Sequence, residues 1–136
     1  MLEYLHYFNT IKEDIIMSLA ERLSERREKM SEDRINVFVQ TFIPKVEEAV
    51  DADTTSRHIE VRLEFKENEN VANLKLNDKV VETFDISNIL GEFLEKFYEI
   101  LFALESEGFE NKTENKIGCW DEDEVPEKIY AIGFDI

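Results

Sequence analysis

Cysteine is nearly absent: Cys119 is the single thiol in 136 residues. One cysteine excludes an internal disulfide framework and a cysteine-rich zinc site, and makes a reducing compartment the simpler expectation. Glycine and proline are scarce too, with 4 and 2 residues. Gly91, Gly108, Gly118 and Gly133 are scattered and match neither common phosphate-binding pattern, so nucleotide binding through a glycine-rich loop is excluded. No linker-like stretch or internal repeat interrupts the chain, and its length suits one domain, residues 1–136. No apolar run approaches the roughly 18 residues of a membrane span. The start, Met1-Leu2-Glu3-Tyr4-Leu5-His6, lacks the basic residues and apolar run of a signal peptide. A cytoplasmic protein is expected.

Positive charge is the other shortage. Lys and Arg number 16 against 32 Asp and Glu, a formal net charge of -16. Neither a basic footprint on nucleic acid nor docking on an anionic membrane is sustained at that balance. Yet 43% of the residues are hydrophobic, with 10 Phe, which is too much for a disordered acidic tail. The charge is uneven: residues 1–34 carry 8 acidic and 6 basic side chains, so 24 of the acids lie beyond them. The densest run is Asp121-Glu122-Asp123-Glu124, expected within an acidic loop over 121–127.

What is present is strong patterning. Leu5, Phe8, Ile11, Ile15, Leu19 and Leu23 recur at steps of three and four, so residues 1–30 read as a helix with one apolar stripe. Thr10 and Glu13 have capping-box spacing, so the regular helix could begin only at Ile11. Ile16, Met17 and Ala20 widen the stripe, which points to packing against a second helix or another protomer. Residues 35–50 read as a second helix started by Ser31-Glu32-Asp33 and kinked at Pro44, with a β-strand as the other reading of Ile35–Ile43. Ile59, Val61, Leu63 and Phe65 alternate with His58, Glu60, Arg62 and Glu64, the pattern of a half-buried strand over 57–66. A second strand carries Ala72, Leu74 and Leu76, Asn77-Asp78 makes a tight turn, and residues 79–84 form a third strand. A helix capped by Asp85 or Ser87 follows, its apolar face formed by Leu90, Phe93, Leu94, Phe97, Leu101 and Leu104, with Ile100 alongside. Gly108 supplies its left-handed cap and Phe109 folds back. Residues 116–120 and 128–134 are two last strands. The order predicts an α+β two-layer domain: N-terminal helices, a three-stranded antiparallel meander, a helix and two C-terminal strands, with residues 57–136 as the sheet-helix-sheet body.

Catalytic chemistry finds little footing. Cys119 sits beside Trp120 in a predicted strand within acidic surroundings, which oppose thiolate formation, so a buried structural cysteine is expected. His58 is expected on the polar face of its strand two residues from Glu60, where an exposed cross-strand role outweighs that of a general base. His6 reads as a surface or packing residue. Four consecutive carboxylates at 121–124 cannot all converge on one cation, because calcium loops alternate their ligands and turn on a glycine. Glu92, Glu95 and Glu99 share one helix face, interrupted by Lys96. No metal site, cofactor or catalytic residue is assigned.

The charge is then the most informative feature. We expect a non-enzymatic module that covers a basic surface of a partner protein, analogous in type to immunity proteins, inhibitors and nucleic-acid mimics. Its expected contact residues are Asp121, Glu122, Asp123, Glu124, Glu92, Glu95 and Glu99, and the first helix is the expected route to a homodimer. A charge that only maintains solubility is the plainer alternative. The order of three strands, helix and two strands over 57–134 also looks like that of bacterial secretion chaperones, which usually end in a further helix. That resemblance implies an adaptor binding a client segment through apolar patches. A carboxylate-based enzyme is the third alternative.

Overall fold

The computed structural model describes residues 17–120 and 123–136. The expected stripe residues Leu5, Phe8, Ile11 and Ile15, and His6, lie outside the described residues. A helix of 34 residues, α1 (Leu19–Ala52), starts where the extended Ser18 takes the N-cap position and its hydroxyl accepts the Glu21 N–H at 3.1 Å. The boundary expected near residue 31 is absent. Ser31-Glu32-Asp33 run inside the helix, and the Ser31 hydroxyl instead donates to Glu99 Oε2 of the next helix at 3.2 Å. Pro44 stands inside α1 as well. It offers no N–H to the Gln40 carbonyl, but both residues are exposed, so water can satisfy that oxygen. Ile35, Phe38, Phe42 and Val46 form the buried face, so residues 35–50 are helix and not strand. Residues 19–30 are exposed, and the stretch before Arg27 carries the helix about 12 Å beyond its contacts with the next helix.

Strands β1 (Glu60–Phe65), β2 (Val71–Leu76) and β3 (Lys79–Asp85) form the expected antiparallel meander. Asn77 and Asp78 turn it with φ of 47° and 67°, values that asparagine and aspartate tolerate better than most residues. Asp85 and Ser87 do not cap a helix. The Asp85 carboxylate accepts the Ser87 N–H within a turn, and Ile86 and Ile89 are drawn into the core before α2 (Phe93–Leu104) begins behind Glu92. A 3-10 turn, Glu105–Glu107, then reaches Gly108, whose φ of 93° is the expected left-handed cap. Phe109 does fold back: its N–H donates to the Leu104 carbonyl at 3.3 Å and its ring is buried.

The last three strands are β4 (Glu110–Asn111), β5 (Glu114–Trp120) and β6 (Asp123–Asp135). Sheet order is β3-β2-β1-β6-β4, with β5 pairing only β6. The architecture is α+β, with both helices on one face of the sheet. Val61, Leu63 and Phe65 of β1 stand opposite Phe134, Ile132 and Tyr130 of β6, so one face of the sheet is continuously apolar. Onto it α1 contributes Phe38 and Phe42, which meet Phe84 edge-on at 5.7 and 5.4 Å between centroids. Phe97 of α2 meets Phe65 at 5.2 Å and Tyr130 at 5.6 Å.

Two expectations fail on the other face and at the far end of the sheet. Arg62, assigned to a polar face, is buried, because residues 112–114 cross over it. Its guanidinium lies 3.4 Å from Glu114, 3.6 Å from Glu60 and 3.7 Å from Glu64, while its Nε has no hydrogen-bond partner. The acidic loop over 121–127 also contracts. Asp123 to Glu127 belong to β6, which is longer than the expected 128–134, and Trp120 stands opposite Asp123. Past Tyr130, the last partner of β1, β6 continues against β5 alone as a two-stranded ribbon about 23 Å long. Pro126 fits there because a ribbon of two strands has a free edge on each side.

Candidate protein-binding site

Helix α2 carries two apolar stripes. One holds Phe97, Ile100, Leu101 and Leu104 and is buried. The other, Leu94, Tyr98 and Phe102, repeats every fourth residue and is open to water, with exposures of 47%, 55% and 79%. Leu94 thus leaves the core-facing set to which its spacing assigned it. Phe102 is the most exposed large apolar side chain among the described residues. Apart from the edge contact of Tyr98 with Phe97 at 5.3 Å, no aromatic partner among the described residues meets this stripe.

Tyr98 and Phe102 open onto a groove of about 790 Å³ between α1 and α2. Its floor and walls include Ile35, Leu90, Ala103 and Asn36, and its rim carries Glu28 and Glu32 from α1 and Glu95 and Glu99 from α2. Among the described residues, Arg27 is the one cationic side chain in the lining. The rim is held in place: Glu95 accepts the Glu92 N–H at 3.3 Å, and Glu99 accepts the Ser31 hydroxyl. Each leaves its remaining acceptor capacity to the groove and the solvent.

Of the expected contact residues, the structure brings Glu95 and Glu99 together on this rim and puts Glu92 at the N-cap of α2, one turn away. Lys96 does not interrupt them. It is buried, with its Nζ donating to Asn70 Oδ1 at 3.1 Å. Asp123 and Glu124 lie in β6, and Asp121 and Glu122 lie outside the described residues. The sequence reading missed Phe102 and Tyr98. Their signal was the four-residue step from Leu94, obscured by the denser stripe beside it.

Part of the body's positive charge is taken up internally. Lys45, Lys75, Lys112 and Arg62 pair with carboxylates, and the Arg34 guanidinium donates to the Asn88 carbonyl. Among the described residues, Glu92, Glu95, Glu99, Glu105 and Glu107 on and after α2 form no ion pair. His58 is exposed just before β1, and Cys119 lies in β5. Among the described residues, no three His, Cys, Asp or Glu gather where they could hold a metal ion, and no helix is long and apolar enough to cross a membrane. Comparison with protein-family models, with curated proteins and with solved structures finds no match to this chain.

Proposed function

We propose that this chain is a non-enzymatic, cytoplasmic protein-binding module that covers a basic surface of a partner protein, in the manner of an inhibitor, immunity protein or nucleic-acid mimic. The observation that carries the reading is the flank of α2. Among the described residues, Glu92, Glu95, Glu99, Glu105 and Glu107 stand there without ion pairs, which leaves their field to a partner. The acidic run Asp121-Glu122-Asp123-Glu124 in the sequence belongs to the same proposed contact set. A partner captured from the source cell at low salt and identified by mass spectrometry supplies the test. Its affinity for the full chain should fall at least about tenfold between about 50 and 300 mM salt. Glu92→Gln/Glu95→Gln/Glu99→Gln and the Asn/Gln replacement of residues 121–124 should each weaken it at low salt. Affinity indifferent to salt and to both replacements overturns the reading.

The open stripe of Tyr98 and Phe102 favours a second reading, an adaptor holding a client segment on apolar surface. Salt-independent binding of the captured partner is what that reading requires. Self-association belongs to the proposal as well. Leu23, Met30 and Val37 are exposed at steps of seven along α1, a line on which a second copy can pack. Sedimentation of the full chain should then show a dimer that Leu23→Glu dissociates, and a monomer at all concentrations removes that part.

A further inference from the structure

The groove between α1 and α2 is specific in what it can accept. Its two long walls are side chains of α1 and α2, whose backbone groups are paired within each helix, and Leu90 and Gly91 of the loop before α2 close one end. An extended segment laid there would bury peptide N–H and C=O groups against Ile35, Leu90 and Phe102 with no partners for them. An α-helix satisfies its own backbone and presents only side chains, so it is the secondary structure the groove fits. The α1 wall runs from Arg27 to Asn36, about 14 Å, which matches two to three turns of helix with apolar anchors at i, i+4 and i+7. Charge fixes the remainder. Carboxylates stand on both walls, Glu28 and Glu32 facing Glu95 and Glu99, against the single Arg27. An occupant with acidic flanks would be repelled from both sides, and one with Lys or Arg flanks would be complementary to both.

We propose that this groove receives an amphipathic α-helix of a partner protein, its apolar anchors seated against Tyr98 and Phe102 and its flanking Lys and Arg residues against the four glutamates. The inference rests on the reading of the chain as a binder of basic protein surface, and adds where and in what form the partner is held.

The test uses the full chain and three labelled synthetic peptides of equal length. One is a leucine–lysine amphipathic helix, one has the same composition with the leucines scrambled off one face, and one is a leucine–glutamate amphipathic helix. Fluorescence anisotropy should rank the first at least about tenfold above the other two. Phe102→Ser, at a position whose exposure leaves the core untouched, should reduce that binding about tenfold with an unchanged circular dichroism spectrum. Glu95→Gln/Glu99→Gln keeps the acceptors for Glu92 N–H and Ser31, and should weaken binding severalfold at low salt but not at high salt. If the scrambled peptide binds equally well, salt-sensitively, and Phe102→Ser changes nothing, the groove assignment falls and the electrostatic reading stands. If neither lysine peptide binds at low salt, both fall. A tenfold gain in peptide binding on Phe8→Glu would make the chain's own first residues the occupant. A concentration-dependent dimer dissociated by Phe102→Ser would make the occupant a second copy. Either result overturns the proposal.

Discussion

Gly133 is set by a contact of β1 with β6. It stands opposite Arg62, and a Cβ built on it would lie 1.9 Å from the Val61 carbonyl oxygen. The obstruction is backbone in the middle of the sheet, which cannot swing aside as a side-chain end can. Gly133→Ala should therefore destabilise the fold by roughly 3 kcal/mol or more, at the upper end of overpacking costs. Urea denaturation measures this, and a loss below about 1 kcal/mol would show that the two strands part freely. The same neighbourhood explains why Arg62 was misjudged in sequence. Alternation correctly placed it away from the apolar core, but alternation reports only which face of a sheet a residue occupies. That residues 112–114 cover this face is a tertiary fact, written nowhere near Arg62. At the chain's exposed bends the local signals are more direct. The Asp53 carboxylate accepts N–H groups of Ser56 and Thr55 and the Ser56 hydroxyl, and these bonds, those of Ser56 foremost, hold it below the usual carboxylate range.

Pro44 dictates less about its element than its reputation implies. Inside α1 it removes one hydrogen bond, yet burial of Ile35, Phe38, Phe42 and Val46 on both sides of it keeps the helix whole. Pro44→Ala should restore the bond to the Gln40 carbonyl and stabilise the protein by about 1–3 kcal/mol, seen as a rise in the urea midpoint at constant slope. A neutral or destabilising result would mean that the proline's rigidity in the unfolded chain outweighs its cost in the helix. Periodicity carried most elements: the meander, the Asn77-Asp78 turn, α2 and its Gly108 cap follow from local spacing alone. It failed at boundaries decided from a distance. Ser31 resembles a helix start, but its hydroxyl is engaged by Glu99, which is 68 residues away. Pro126 resembles a loop residue, yet a strand with a free edge is one of the few places in a sheet that tolerates proline. For the candidate site, the carboxylates were legible as composition and Glu95 with Glu99 as a helical pair. The groove they rim was not, because it exists only where α1 and α2 meet.

At the scale of the molecule, exposed apolar and acidic side chains share the outer flank of α2, with Tyr98 and Phe102 beside Glu95 and Glu99. The core side of the sheet is covered by two helices, while the outer flank of α2 and residues 19–26 of α1 are open to solvent. The sheet order has a kinetic consequence. β1 finds β2 across a turn of a few residues, but it meets β6 only by closing the loop from Phe65 to Tyr130. Loop-closure entropy makes that second pairing about 2 kcal/mol more costly than the first. The meander is thus the natural early nucleus. Until β6 slots in beside β1, Val61, Leu63 and Phe65 border an open sheet edge, and the folding chain must keep that edge from other strands until Tyr130 to Asp135 arrive.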